Sequence, residues 1–199
     1  MELLVIRHGQ SEADLENRHE GRADCPLTAL GRTQAARVAD WVARHAVPDV
    51  IWSSPLVRAA ETARMIAAQT GAPLIFKDGL MEMDNGVLAG LTRDEARSKY
   101  PPPPGGRQYY ERVPGGESEL EFRARVEAVF AELVHTVSPE QRVAVVAHGG
   151  TITMLFRAFL GLPLQSNVWL RTADTGVHLW RITPQQRLVL LANSTAHLD

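Results

Sequence analysis

Two apolar runs of this chain end in the same dipeptide, His-Gly. Residues 3–6 lead into Arg7 and His8, and residues 143–147 lead into His148. Short runs rich in Val, Ile and Leu, without polar alternation, are typical of strands buried on both faces of a sheet. If the two strands are parallel, their C-terminal ends share the edge where open α/β sheets bind ligands. Chance is the simpler explanation for either run alone, but the matched pair predicts that both imidazoles meet at one site beside Arg7.

A second arginine follows another predicted strand. Arg58 comes shortly after residues 49–53 and falls in the first turn of a predicted helix. A cation near a helix N-terminus is unfavourable unless an anion neutralises it, so Arg58 indicates a bound anion. The alternative is an ordinary salt bridge, for instance with Glu61 or Glu12.

One acidic residue, Glu82, begins an irregular segment that would bring it to the same edge, although a surface carboxylate is the simpler explanation for it alone. Two guanidinium groups in one pocket favour an anion with several oxygens, phosphate above all. The same two charges would repel a divalent cation, and the seven histidines contain no HExxH-like ligand spacing. The sequence therefore predicts no metal and no cofactor.

The composition is that of an ordinary globular protein. At 199 residues and a formal net charge of -2, the chain gives no reason to expect nucleic acid or an anionic membrane as partner. No apolar stretch approaches the ~20 residues that span a bilayer, and the first strand begins so early that no signal peptide is expected. The single cysteine, Cys25, excludes an internal disulfide and suits a reducing compartment. We expect a cytoplasmic protein.

Strands alternate with helices along the chain. Such alternation predicts one α/β domain over residues 1–199, a three-layer sandwich with a mainly parallel central sheet and helices on both faces. Glycines and the run Pro101 to Pro104 interrupt residues 77–116, which we expect to form a lid over the C-terminal edge of the sheet. Helices are predicted from Thr28, from 54 to the stop at Gly71, over 117–137 and over 151–160, and further strands over 74–76, 176–182 and 187–191.

The motifs, taken in order, resemble those of the histidine phosphatase superfamily, which includes the phosphoglycerate mutases. The resemblance opens on Arg7-His8-Gly9-Gln10-Ser11 and covers nearly the whole chain. The later stretches are Pro26-Leu27-Thr28 with Gly31 and Gln34-Ala35, residues 53–63 with Arg58, the loop of Glu82 with Gly86, Gly90 and Leu91, Gly115-Gly116-Glu117-Ser118, Ala147-His148-Gly149, and the tail with Asn193 and His197-Leu198.

The resemblance implies a role for each residue of this group. His8 is the nucleophile and becomes phosphohistidine, while Arg7, Arg58 and His148 hold the phosphoryl oxygens. Glu82 protonates the leaving oxygen and then helps water attack phosphohistidine. The residues implied on the substrate side are Arg7, Gln10, Asp14, Gly21, Arg58 and Gly149.

Asp14 departs from the family pattern, which commonly has asparagine three residues after Ser11. A carboxylate ~4 Å from a phosphate meets a repulsion of about 4 kcal/mol per unit charge at an effective dielectric of about 20, against about 1 kcal/mol for a typical hydrogen bond. We therefore expect Asp14 to be ion-paired with Arg18 or Arg22 and turned partly from the phosphate. Ala13 stands where the family often has an aromatic residue, which leaves the substrate open.

Three functions stay open at this stage. We favour a metal-independent phosphatase of small phosphorylated metabolites. A phosphoglycerate mutase is less favoured, because residues 79–116 carry only five basic side chains to grip a small, doubly charged substrate. The third is a regulatory or binding protein that kept the pocket and lost turnover, for which Asp14 is the sole support. The sequence names neither the substrate nor the assembly state, a homodimer included.

Overall fold

Six strands form one sheet in the structure, a computed structural model that describes residues 1–199. The strands are β1 (Glu2–Arg7), β2 (Val50–Ser53), β3 (Leu74–Phe76), β4 (Arg142–Ala147), β5 (Val177–Ile182) and β6 (Arg187–Ser194). The helices are α1 (Glu12–Leu15), α2 (Ala29–His45), α3 (Val57–Thr70), α4 (Arg93–Lys99), α5 (Glu119–Thr136) and α6 (Gly149–Leu160). None of these helices combines the length and the apolar character needed to cross a membrane.

The sheet order, β3-β2-β4-β1-β5-β6, places the two histidine-bearing strands side by side. Strand β1 is parallel to β4, and Arg7 lies opposite Ala147 in the register. His8 and His148, each one residue further on, therefore emerge at the same C-terminal edge. The strands β2, β3 and β4 are also parallel, whereas β5 is antiparallel to β1 and β6 to β5.

Alternate residues of β1 belong to two separate cores. Leu3 and Val5 lie in a cluster that includes residues of α5 and α6, while Leu4 and Ile6 lie in one that includes residues of α2 and α3. A strand whose side chains are buried on both sides needs apolar residues throughout, which explains its unbroken apolar run. The prediction of a mainly parallel sheet between two helical layers is confirmed.

The long helices begin and end close to the predicted positions. Thr28 caps α2 by accepting a hydrogen bond from the Gly31 N–H, and Gly71 ends α3 in the left-handed conformation at φ 72°. Helix α3 begins at Val57, three residues later than the predicted start at 54. Helices α1 and α4 were missed, because four and seven residues are too few to show an apolar periodicity.

Residues 77–116 pack beside the loop that follows α1. The segment holds α4 and a small apolar cluster of Leu88, Ala96 and Val113. Its backbone pairs with His19, which donates to the Leu91 carbonyl and accepts from the Gly90 N–H, both at 2.8 Å. This contact places the segment next to the C-terminal edge of the sheet. That it closes over bound substrate as a lid stays a prediction.

Replacing Gly31 with alanine should destabilise the protein, although alanine is the better helix former by about 1 kcal/mol. A Cβ at this position would overlap the Gln10 carbonyl oxygen. Overpacking of this kind typically costs about 1–3 kcal/mol, so the unfolding midpoint should fall. Thr33→Ala, an exposed change in the same helix, is the matched control and should leave the midpoint unchanged or raised. A higher midpoint for Gly31→Ala would contradict this prediction and show that the backbone at Gln10 moves away from the added Cβ at little cost.

Candidate active site

His8 lies at the end of β1 and is fully buried. Its Nδ1 is 2.7 Å from the Gly9 carbonyl oxygen, which can only accept, so Nδ1 carries the proton. The Nε2 lone pair is left free, and this nitrogen has no hydrogen-bond partner. Burial, together with the charges of Arg58 and Arg7, lowers the pKa of His8 well below its ordinary value. A neutral imidazole with a free lone pair is the form required of a nucleophile.

His148 faces His8 with 5.0 Å between the ring centroids, as the parallel register predicted. It is also fully buried, and its Nε2 lies 2.8 Å from Ser54 Oγ. When the Ser54 hydroxyl donates to Nε2, the His148 proton lies on Nδ1, which has no hydrogen-bond partner within the protein. Burial, then Arg58, lowers the pKa of His148 well below its ordinary value. His148 thus offers an uncharged N–H donor beside the free lone pair of His8.

Arg58 is fully buried in the first turn of α3. Its two terminal nitrogens donate to the carbonyls of Gly21 and Ala23, each at 2.9 Å, while its Nε has no hydrogen-bond partner. Arg58 does form a salt bridge, but with neither acid named from the sequence: Glu61 pairs with Arg32, and the carboxylate beside Arg58 is that of Glu20, with Oε1 at 3.3 Å from Nε. The guanidinium is therefore fixed by two backbone carbonyls, and its Nε faces the Glu20 carboxylate.

Arg7 is held by two carboxylates and a backbone carbonyl. It donates to Asp14 Oδ1 at 2.9 Å and to the Thr172 carbonyl at 3.1 Å, and Asp174 Oδ1 lies 3.3 Å away. Its Nε, like that of Arg58, has no hydrogen-bond partner. These partners fix the guanidinium plane and partly neutralise its charge.

Asp14 is ion-paired as predicted, but the partner named from the sequence was wrong. It pairs with Arg7, whereas Arg18 pairs with Glu16 and Arg22 lies near other acids. The cause is α1, a single turn in which Asp14 caps the Ser11 N–H and is thereby directed back toward the end of β1. Because the sequence did not reveal α1, it did not reveal this partner.

The tail motif around Asn193 holds the segment that carries two partners of Arg7. Asn193 Oδ1 accepts a hydrogen bond from the Ala173 N–H (2.7 Å), and the Asn193 N–H donates to His178 Nδ1 (3.1 Å). Burial lowers the pKa of His178 to about 4, so this ring stays an uncharged acceptor near neutral pH. The β5–β6 hairpin is therefore connected to Arg7 through Ala173 and Asp174.

Glu82 is anchored at the start of α6. Its Oε2 accepts the Gly150 N–H and its Oε1 accepts the Met83 N–H, both at 2.8 Å. A Cβ at Gly150 would lie 2.5 Å from Glu82 Oε1, so glycine is required there for this approach. Because α6 begins directly after His148, the carboxylate and that imidazole belong to one rigid junction of strand and helix.

Glu20 is a site residue that the sequence reasoning missed. Its Oε2 lies 3.7 Å from His8 Nε2, and its Oε1 lies 3.3 Å from Arg58 Nε and accepts a hydrogen bond from Ser11 Oγ. Burial raises the pKa of Glu20, although Arg58 opposes this shift. The available signal was its position directly before Gly21, in the loop predicted to line the substrate side.

A cavity of about 290 Å³ adjoins this group. Glu20, Gly21 and Glu82 line it together with aromatic residues such as Phe122 and Trp169. A larger depression of about 640 Å³ lies around the start of β1, at the opposite edge of the sheet. Of these two cavities, the smaller one adjoins the site through Glu20, Gly21 and Glu82, while neither His8 nor His148 lines it.

Five of the six residues predicted on the substrate side do not line this cavity: Arg7, Gln10, Asp14, Arg58 and Gly149. Gln10 Oε1 accepts a hydrogen bond from Thr28 Oγ1 at 2.9 Å, so its side chain is directed at the start of α2. Gly149 is the first residue of α6. Gly21, which was predicted on the substrate side, does line the cavity.

Ligand atoms of His8, Asp14 and Glu20 lie within 4.8 Å of one another, close enough for a cation. Each carboxylate, however, already faces a guanidinium, Asp14 that of Arg7 and Glu20 that of Arg58. Two fixed positive charges at these distances oppose a divalent cation. We assign no metal to this cluster.

Comparison with known proteins identifies the family. The model of the histidine phosphatase superfamily (branch 1) matches residues 3–195, and the chain therefore belongs to this superfamily. A relative from Enterobacter sp. (strain 638), named "Probable phosphoglycerate mutase GpmB", is 32% identical over 212 residues, which cover 100% of this chain and 95% of the relative.

Solved structures of the same fold include phosphatases. A mycobacterial glucosyl-3-phosphoglycerate phosphatase superposes with a TM-score of 0.82 at 28% identity, over 98% of this chain and 99% of that one. It has also been solved with VO3 and with inorganic phosphate. The alpha-ribazole phosphatase from Shigella flexneri superposes with a TM-score of 0.84 at 25% identity, over 98% and 96% of the two chains. The predictions of the family and of an enzyme of the histidine phosphatase type are confirmed.

Proposed function

We propose that this protein is a metal-independent phosphatase that hydrolyses small phosphomonoesters through a phosphohistidine at His8. The observation that carries the proposal is the free Nε2 lone pair of His8. This imidazole is buried and neutral, and it lies beside Arg58 and His148. The structural relatives named as phosphatases support the same reaction class. The proposed partner is a small phosphorylated metabolite, and no nucleic acid is proposed as a partner.

In the first step, the lone pair of His8 Nε2 attacks phosphorus and the bond from phosphorus to the leaving oxygen breaks. Glu82 gives that oxygen its proton, so the alcohol departs uncharged. In the second step, water attacks phosphorus and the bond to Nε2 breaks. Glu82 takes a proton from the water and is restored as an acid, so the sum of the two steps is hydrolysis of the ester.

The transferred phosphoryl group carries negative charge that the pocket must meet. Arg58 serves well, because its guanidinium is buried and already fixed by two backbone carbonyls. Arg7 and the Nδ1–H of His148 add two further fixed donors. Donors that need no reorganisation at the moment of transfer lower the barrier most effectively.

A mutase is the second candidate, because the Enterobacter relative carries that name. The charge of the cavity does not decide between the two functions, because its lining holds Arg18 and Arg93 beside Glu20, Glu82 and Glu119. The deciding experiment measures two products from phosphoglycerate, the isomerised ester and inorganic phosphate. It also measures phosphate release from a panel of phosphorylated metabolites. A phosphatase releases phosphate from several esters. Isomerised phosphoglycerate without release of phosphate would instead establish the mutase, and no turnover of any ester would favour the binding protein.

Removing metal ions should leave the phosphatase rate unchanged. Arg7 and Arg58 already supply the positive charge that a metal would otherwise bring to the phosphoryl oxygens. The measurement is the rate of phosphate release before and after exhaustive EDTA treatment and dialysis, with the buffer ions held constant. A rate that collapses with EDTA and returns with Mg²⁺ or Zn²⁺ would overturn the metal-independent mechanism.

Asp14→Asn should leave turnover similar or raise it, with tighter inhibition by inorganic phosphate. The change removes a negative charge from the pocket and frees Arg7 from its 2.9 Å ion pair. The measurements are kcat, KM and the inhibition constant of phosphate. Asp40→Asn, which removes an exposed charge paired with Arg44 on α2, is the matched control. If Asp14→Asn folds normally yet loses turnover, Asp14 has a direct catalytic role.

A further inference from the structure

The carboxylate of Glu20 lies next to Nε2 of His8, the proposed nucleophile. Its side chain is 13% exposed, with Oε2 at 3.7 Å from His8 Nε2 and Oε1 at 3.3 Å from Arg58 Nε. Neither of these nitrogens has a hydrogen-bond partner, and the remaining nitrogens of Arg58 are bound to carbonyls. Glu20 is therefore the anion nearest to the two groups that a phosphoryl group would use.

A phosphoryl group and this carboxylate compete for the same space. Atoms poised to react lie about 3–3.5 Å apart, so phosphorus must approach His8 Nε2 as closely as Glu20 Oε2 lies now. Two anions so close together would also repel each other strongly. Bound substrate therefore requires that Glu20 Oε2 move back from His8 Nε2, and that Glu20 either leave the pocket or lose its charge.

We propose that Glu20 is a proton-coupled binding residue: as a carboxylate it competes with the phosphoryl anion, and as a carboxylic acid it donates its O–H to a phosphoryl oxygen. The inference rests on the proposed function, because it assumes that the pocket binds such anions. The proton comes from solvent, and no covalent bond of the protein changes. Ser11 Oγ, which donates to Oε1, keeps the side chain beside the pocket in either state.

The surroundings of Glu20 favour uptake of this proton. Burial raises the pKa of Glu20 and the Asp14 charge adds to the effect, while Arg58 and Arg7 oppose it. An incoming dianion would raise the pKa further. The groups beside Glu20 are His8 and Arg7 at the end of β1, Ser11 and Asp14 at α1, Arg58 on α3 and the thiol of Cys25, whose own pKa burial raises. The charged and titratable groups that line the same cavity are Arg18, His19, Glu82, Arg93 and Glu119.

Anion affinity should fall as the pH rises, because binding is coupled to protonation of Glu20. Below its raised pKa, Glu20 is uncharged and the anion binds without competition. Above that pKa, each bound anion must bring a proton, so its apparent affinity falls by up to tenfold per pH unit. A glutamine at this position carries an N–H donor and no charge at any pH, so its affinity should not follow pH.

Binding of inorganic sulfate tests the proposal, because sulfate keeps both charges over the range from about pH 5 to about pH 8. Calorimetric titration in buffers of different ionisation enthalpy measures the affinity and the protons taken up. The wild-type protein should take up close to one proton at the upper end of the range, and its affinity should weaken as pH rises. Glu20→Gln should take up none and bind sulfate at least tenfold more tightly at that pH. Glu12→Gln, an exposed change on α1, should behave as wild type.

Proton uptake that persists in Glu20→Gln would belong to another group and would overturn the proposal. A wild-type affinity that does not change with pH would overturn it as well, and this measurement needs no variant. Because sulfate binding requires no turnover, failure of this proposal can be distinguished from failure of the phosphatase activity. Tight, proton-coupled sulfate binding without phosphate release would contradict the phosphatase and leave the role of Glu20 intact.

Discussion

Replacing His8 with alanine should reduce phosphate release by roughly 10⁴-fold or more, the scale on which enzymes lose activity without their nucleophile. Nδ1 of His8 is held by the Gly9 carbonyl, which directs the Nε2 lone pair into the pocket. Rapid quenching with labelled substrate should trap acid-labile, base-stable phosphate on His8. A His8→Ala protein that folds and retains substantial turnover would remove His8 from this role.

His148→Ala is the matched control for the trapping experiment. Both imidazoles are fully buried and lie 5.0 Å apart, so either truncation opens a similar hole. The His148 variant should turn over slowly, since it lacks a donor to the phosphoryl group, yet it should still acquire label on His8. Label on His148 in the wild-type protein would reverse the two assignments.

Glu82→Gln should reduce the rate by roughly 10²–10⁴-fold on esters of poor leaving groups, the usual contribution of a positioned general acid. An amide cannot give the leaving oxygen a proton. The loss should shrink for p-nitrophenyl phosphate, because nitrophenolate departs without protonation. The measurement is kcat/KM for an alkyl and a nitrophenyl ester with each variant.

Glu20→Gln separates the two acids that line the cavity. Both carboxylates approach the proposed site, but Glu82 is held at α6 by backbone N–H groups whereas Glu20 faces His8 and Arg58. The effect of Glu20→Gln should therefore follow pH and be the same for both esters. If Glu82→Gln costs equally on both esters while Glu20→Gln depends on the leaving group, the general acid is Glu20.

The sequence was most informative where a strand determines position. The meeting of His8 and His148 follows from two buried, parallel strands with matched ends, and the apolar runs of those strands carry that information. Arg58 was placed by the same reasoning, because its helix follows the neighbouring strand β2. At these positions, local pattern and global fold point to the same arrangement.

Loops determine what the sequence did not reveal. The pairing of Asp14 with Arg7 depends on the single turn of α1, and the approach of Glu20 to His8 depends on the path of the following loop. Asp174 comes to Arg7 from a segment more than 160 residues away, with no motif of its own. Contacts of this kind depend on tertiary packing, which carries no periodic signal.

The attachment of Arg7 to the β5–β6 hairpin links the proposed active site to one edge of the sheet. Strand β6 pairs on one side only, and Val189 and Leu190 on it are exposed. Edge strands open more readily than central ones, and opening here would release Asn193 and with it the Asp174 segment. Arg7 would then lose two of its anchors while both cores stayed intact. We therefore expect activity on heating to be lost by fraying of β6 before the molecule as a whole unfolds.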